Sequence, residues 1–141
     1  MTPLTIVFPA HPRTQKQLRK TKLYNEIQKN KHIKLIKPLG YHETLKLIKN
    51  AKLILTDSGG MQKEAFWLKT PFITLRNKTE WPETTQLGAN RLIGINTQKI
   101  VKTVKEIIEN EEKLKKKFEK LPKFFGDGKA SQKILEIIKS Y

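Results

Sequence analysis

Asp57-Ser58-Gly59-Gly60 lies between the apolar run Leu53-Ile54-Leu55 and the helix-forming stretch Met61-Gln62-Lys63-Glu64-Ala65, an order suited to holding phosphate. A glycine pair lets a ligand approach the main chain closely. The first N–H groups of a helix lack partners within it and sit at the positive end of its dipole. Ser58, Gly59 and Gly60 are therefore candidate contacts for a diphosphate. Glu64 follows Gly60 near the same helix face, where a carboxylate can accept hydrogen bonds from both hydroxyls of a ribose. The same residues also suit a plain N-cap and a solvated helical glutamate.

Two further segments carry reactive side chains. In Pro9-Ala10-His11-Pro12-Arg13-Thr14, two prolines stiffen a turn that offers His11 and Arg13 to neutralise a diphosphate or assist a leaving group. An ordinary surface turn with an incidental histidine is the competing reading. The segment from Arg76 to Thr84 is long, polar and aromatic, with Arg76, Thr79, Glu80 and Trp81 as its notable members. It is read either as a wall of a cleft or as a surface loop held by Trp81 packing and a Thr79 or Glu80 cap. His32 and His42 stand alone without ligand spacing. HExxH, a Walker lysine motif, GxGxxG and a Ser-His-Asp order are all missing from the sequence, so no cofactor or metal is expected.

The elements that must position these groups follow from hydrophobic period. Strands are expected at Leu4–Phe8, Ile33–Ile36, Leu53–Thr56, Phe72–Leu75 and Leu92–Ile95, alternating with helical segments. The helices are expected at Gln15–Asn30, at His42–Asn50, and from the Ser-Gly-Gly turn to just before Pro71. Beyond them come a stripe of Ile100, Val104, Ile107 and Ile108, a lysine-rich helix at Glu111–Lys120, and a last helix at Ser131–Ser140. That last helix should turn Ile134, Leu135, Ile137 and Ile138 toward the body of the domain. This alternation predicts a single doubly wound, Rossmann-like α/β domain over residues 1–141 with a mostly parallel sheet. Such sheets bind ligands at the carboxyl ends of their strands, and the turns after the first, third and fourth strands carry the unusual residues.

With 141 residues the chain can bury a core of useful size, and with no cysteine it has neither a disulfide framework nor a cysteine zinc site. No apolar run approaches the roughly 20 residues of a membrane span, and MTPLTIVFPAHPRT lacks the character of a signal peptide, so a cytoplasmic protein with no membrane partner is expected. The net charge of +16 invites nucleic acid as a partner. Yet only Arg13, Arg19, Arg76 and Arg91 are arginines, and the lysines are spread over helices among glutamates, as on solvated faces. A basic nucleic-acid-binding or interaction module is thus the lesser reading.

In order along the chain stand His11-Pro12-Arg13-Thr14, Pro38-Leu39-Gly40-Tyr41, Thr56 to Ala65, Arg76 to Glu83, and Gly126-Asp127-Gly128-Lys129-Ala130. This series resembles the C-terminal half of the non-hydrolysing UDP-N-acetylglucosamine 2-epimerase family over essentially the whole chain. The resemblance implies the C-terminal half of a GT-B fold and, for the full-length enzyme, elimination of UDP to a 2-acetamidoglucal followed by re-addition after inversion at C2. It assigns Ser58, Gly59 and Gly60 to the diphosphate, Glu64 to the ribose and His11 to the neighbourhood of the cleaved bond, the catalytic role. Arg13 is grouped with the ligand contacts, and Arg76, Thr79 and Glu80 shape the cleft.

Two positions depart from the family pattern. Trp81 stands where many members carry arginine, and Thr44 follows Tyr41 where some place an aromatic residue near the uracil. No segment resembles the family domain that bears the carboxylates acting on the C2 proton, so the chain by itself is expected to be inactive. The expected partners are UDP or a UDP-sugar, a separate N-terminal-half polypeptide, and further copies of the chain as a homo-oligomer. The nucleotide-sugar half of a GT-B glycosyltransferase shares the implied fold and remains a rival.

Overall fold

The structure is a computed structural model that describes residues 4–141; Met1–Pro3, which open the segment read for a leader, lie outside them. Strands and helices alternate as β1 (Ile6–Pro9), α1 (Pro12–Leu18), α2 (Lys22–Lys29), β2 (Ile33–Ile36), α3 (Tyr41–Asn50), β3 (Ile54–Thr56) and α4 (Gly59–Trp67). They continue as β4 (Phe72–Thr74), α5 (Pro82–Gln86), β5 (Asn90–Leu92), α6 (Thr97–Glu109), α7 (Glu111–Glu119) and α8 (Ala130–Lys139). Every strand pair is parallel, as an α/β fold with crossover helices requires. The chain divides into two compact units, the first ending at Thr44 and the second running Leu45–Tyr141. No helix among the described residues is long and apolar enough to cross a membrane.

In the first unit β1 pairs with β2, Ile6 opposite Ile33 and Pro9 opposite Ile36. Gln15 ties the helical layer to the strand ends, its Nε2 donating to the Ala10 carbonyl at 2.9 Å. The helix expected from Gln15 to Asn30 is instead two helices. Thr21 returns its hydroxyl to the Leu18 carbonyl at 2.7 Å, and the N–H groups of Lys20 and Thr21 close tight turns on Gln17 and Leu18. A β-branched hydroxyl residue competes with helix continuation in this way.

In the second unit β4 lies between β3 and β5, and Phe72, Ile73 and Thr74 are fully buried. Ile48 of α3, Ala65 and Phe66 of α4, Phe72, Ala89 and Phe118 of α7 form the core. A strand flanked on both sides and covered on both faces is rich in apolar and β-branched residues, and Phe72 and Ile73 made β4 visible in sequence. The end of α4 is a Schellman turn: the Thr70 N–H donates to the Ala65 carbonyl, and the Lys69 N–H to that of Phe66, with Lys69 at φ 61°. The Lys69 amine is anchored, donating to the Leu121 carbonyl at 2.8 Å beside the Phe66 ring. Desolvation, and then the neighbouring Lys123, hold that amine below its ordinary pKa.

Three further expectations needed correction. Residues 82–86, read as part of a loop, form α5. The fifth strand lies at Asn90–Leu92 rather than at Leu92–Ile95, because α5 ends in a second Schellman turn on Gly88 (φ 72°) that delivers the chain directly to Ala89 and Asn90. The third correction concerns α8, which presents its apolar residues to solvent: Ile134, Leu135, Ile137 and Ile138 are 51–64% exposed.

Phe66→Ala is therefore expected to cost about 3 to 5 kcal/mol in urea denaturation, through lost burial and a residual cavity. Ile134→Lys, on the exposed α8 face, is expected to change stability by no more than about 0.5 kcal/mol in the same assay.

Candidate functional site

The turn from β3 into α4 is organised by side chains that spare two backbone donors. Buried Thr56 accepts the Ser58 N–H on its hydroxyl at 3.0 Å, and the Ser58 hydroxyl accepts from the Met61 N–H at 3.4 Å. Ser58 is extended at φ −85°, ψ 123°, an N-cap geometry, and its carbonyl accepts the Gln62 N–H at 3.1 Å. The N–H groups of Gly59 and Gly60 have no hydrogen-bond partner among the described residues. Ser58 and Gly60 are exposed, so these donors stand at a surface that a ligand can reach.

The segment after β4 packs against this turn through a chain of hydrogen bonds that runs from the sheet to the helix. Thr74 of β4 donates its hydroxyl to Asn90 Oδ1 at 2.8 Å, Asn90 Nδ2 donates to the Thr84 hydroxyl at 3.2 Å, and that hydroxyl donates to the Trp81 carbonyl at 2.7 Å. The Trp81 N–H donates to the Thr79 hydroxyl at 3.1 Å, which donates to Gln62 Oε1 at 2.6 Å. The Trp81 indole N–H donates to the Gly59 carbonyl at 3.0 Å. Thr74, Thr84, Asn90 and Gln62 are all buried, where a polar group without a partner is costly. Each restrains the next.

Charged groups gather on the outer side of that chain. The Glu80 carboxylate lies against Gly59 so closely that a methyl group in place of a glycine hydrogen would run into it. It also pairs with Arg76, Nη1 to Oε1, at 3.4 Å. An anion therefore already stands beside the first turn of α4, where the helix dipole favours one. Glu64, half-buried on α4, makes no side-chain hydrogen bond or ion pair among the described residues. Glu83, in the first turn of α5, encloses one carboxylate oxygen, Oε2, without a partner among them. Arg76, Thr79, Glu80, Ser58, Gly59, Gly60 and Glu64 thus belong to one neighbourhood of the second unit.

His11 and Arg13 belong to the first unit, at the carboxyl end of β1. His11 is the N-cap of α1, its Nδ1 accepting the Arg13 N–H at 3.2 Å. That contact leaves the neutral ring with its proton on Nε2, free to donate outward. Exposed Arg13 lines an open basic depression with Thr14, Lys16, Gln17 and Lys20.

The Gly126-Asp127-Gly128 stretch serves the backbone. Both glycines have positive φ, 102° and 81°, and Asp127 Oδ1 accepts the Lys129 N–H at 3.0 Å just ahead of α8. This hydrogen bond, together with the Lys133 amine, holds the Asp127 carboxyl below its ordinary pKa. Phe125 alongside packs edge-on against both Phe66 and Trp81.

Thr84 and Asn90 were not legible as site-supporting residues, because a buried amide or hydroxyl carries no periodic signal, whereas Gln62 falls within the Thr56 to Ala65 motif. The Thr-Glu-x-Pro-Glu spacing and the out-of-pattern Trp81 were the signals available.

The model of the UDP-N-acetylglucosamine 2-epimerase family matches residues 2–139. Among curated relatives, the UDP-N-acetylglucosamine 2-epimerase of Methanocaldococcus jannaschii is 51% identical over 133 residues, covering 94% of this chain and 34% of that protein. The UDP-2,3-diacetamido-2,3-dideoxy-D-glucuronate 2-epimerase of Pseudomonas aeruginosa is 37% identical, with the same two coverages. The crystal structure of the M. jannaschii enzyme in complex with UDP-GlcNAc and UDP superposes with a TM-score of 0.80 at 44% identity, covering 97% of this chain and 36% of that one. The chain spans about a third of the length of these relatives. Five ordered motifs, a parallel α/β fold and a match over nearly every residue agree, and the chain belongs to the UDP-N-acetylglucosamine 2-epimerase family.

Proposed function

We propose that this chain is the nucleotide-binding part of a UDP-N-acetylglucosamine 2-epimerase, and that it binds UDP or a UDP-sugar but performs no epimerisation by itself. The observation that carries this reading is the pair of unpartnered N–H groups at Gly59 and Gly60, capped by Ser58 and already attended by a carboxylate. A diphosphate accepts hydrogen bonds from such donors and gains from the dipole. Glu64 grips the ribose hydroxyls, and Arg76 leaves Glu80 to balance phosphate charge. The family pattern alone assigns His11 to the leaving phosphate and Arg13 to the ligand, and the Nε2–H tautomer of His11 is the correct donor for that task.

Two named relatives act on different sugars and share the UDP moiety, and the chain matches about a third of each, which supports reading it as the UDP holder. The acid and base that invert C2 are supplied by the part of the family enzyme that has no counterpart in this chain. Whether that part is a separate polypeptide or belongs to the same protein does not alter the role of the turn at Ser58. The proposal extends to a cytoplasmic location and to assembly with that part.

Calorimetric titration with UDP and with UDP-N-acetylglucosamine is expected to show saturable binding and no formation of UDP-N-acetylmannosamine. Glu64→Gln should weaken UDP about tenfold while leaving inorganic pyrophosphate unchanged, because it removes only the ribose acceptor. Glu80→Gln should strengthen pyrophosphate binding by about threefold, since a competing anion is neutralised. A folded sample that binds no UDP at millimolar concentration defeats the proposal.

A further inference from the structure

Trp81 is tied down at every polar atom it has. Its N–H donates to the Thr79 hydroxyl, its carbonyl accepts from both the N–H and the hydroxyl of Thr84, and its indole N–H reaches the Gly59 carbonyl at 3.0 Å. The ring is held as well, edge-on to Phe125 at 5.4 Å between centroids and with the Lys63 amine 4.3 Å from its own centroid. So many restraints exceed what a surface loop needs.

The Gly59 carbonyl shares a peptide plane with the Gly60 N–H. Because that unit is planar and trans, fixing the direction of the carbonyl fixes the opposite direction of the N–H. The plane lies in the first turn of α4 and is flanked by two glycines, the residues whose backbone dihedrals are least restricted, so the indole adds a restraint to that of the helix where the local dihedrals add little. We infer that Trp81 is a positioning residue for the diphosphate cup: its indole N–H locks the Gly59–Gly60 peptide so that the Gly60 N–H stays aimed at the ligand. This role rests on reading the turn as a diphosphate site. It passes the rigidity of β4 and β5, through Asn90 and Thr84, to a donor that touches the ligand.

Trp81→Phe tests it, because phenylalanine keeps an aromatic ring against Phe125 and under Lys63 and removes only the N–H from the hydrogen-bond chain. In ligand-free 15N–1H spectra the Gly60 amide resonance is expected to shift and its solvent exchange to quicken. The UDP dissociation constant should rise about 3- to 10-fold, the loss of one well-placed donor geometry. A purely packing role moves the melting midpoint and leaves both readouts in place. An unchanged Gly60 amide in Trp81→Phe overturns the positioning role whether or not UDP binds, and so does a shifted amide with unchanged UDP affinity. Failure of the parent chain to bind UDP instead defeats the diphosphate reading, so the two failures are distinguishable.

Discussion

The second unit depends on one constraint: polar groups sealed beside β4 must all be paired. Thr74 is fully buried at the centre of the sheet, and its hydroxyl finds Asn90, which is nearly as buried. The amide of Asn90 then needs Thr84, and Thr84 needs the Trp81 carbonyl. An unpaired member would cost on the order of 1 to 3 kcal/mol, so the chain forms as a unit or is strongly penalised. A central strand of three apolar residues would satisfy the core equally well. The threonine in that strand instead orders a loop some distance from it.

That ordering explains why a helix of modest amphipathic character sits at the site. Helix α4 buries Gln62, Ala65 and Phe66 and leaves the Gly59 and Gly60 donors of its first turn open. The Schellman turn at its other end spends the last carbonyls on Lys69 and Thr70, so the helix has no slack at that terminus. Thr56 and Ser58 cap the near end without covering the glycine donors. The result is a rigid element with unspent hydrogen-bonding capacity in one place, the physical definition of a preorganised anion site.

The parts of this arrangement that follow local rules were legible in sequence. The strand Ile33–Ile36 appears with the expected bounds, and the Ser58 cap, the Pro71 stop and the glycine turn were readable because each acts on its immediate neighbours. What escaped depends on distant partners. Thr21 breaks a helix by bonding back to Leu18, a contest between equally plausible local structures. The five residues of α5 are too few for period to register, and its terminus on Gly88 shifted the fifth strand. The α8 residues Ile134 to Ile138 have an amphipathic helical pattern, which predicts an apolar face but not what covers it, and within this chain that face is open. At the site, Gln62, Glu64 and Glu80 stood out by motif, whereas the support Asn90 is recognisable only once the sheet brings it against Thr74 and Thr84.

Glu80 bears directly on how the turn is used. Its side chain is 62% exposed, and its pairing with Arg76 at 3.4 Å is long and solvent-screened, so displacing it from Gly59 costs little. On the proposed function, a diphosphate brings more charge and more acceptors than one carboxylate, and it can use the two glycine N–H groups that Glu80 leaves unpartnered. On the same reading, a bound diphosphate displaces Glu80 and leaves Arg76 able to face phosphate. A buried acid at this position would resist displacement, whereas the Glu80 side chain is exposed. An exposed acid paired with Arg76 stands beside the turn and leaves both glycine N–H groups open. The rigid half of the device is the Trp81 anchor, and the replaceable half is the neighbouring glutamate.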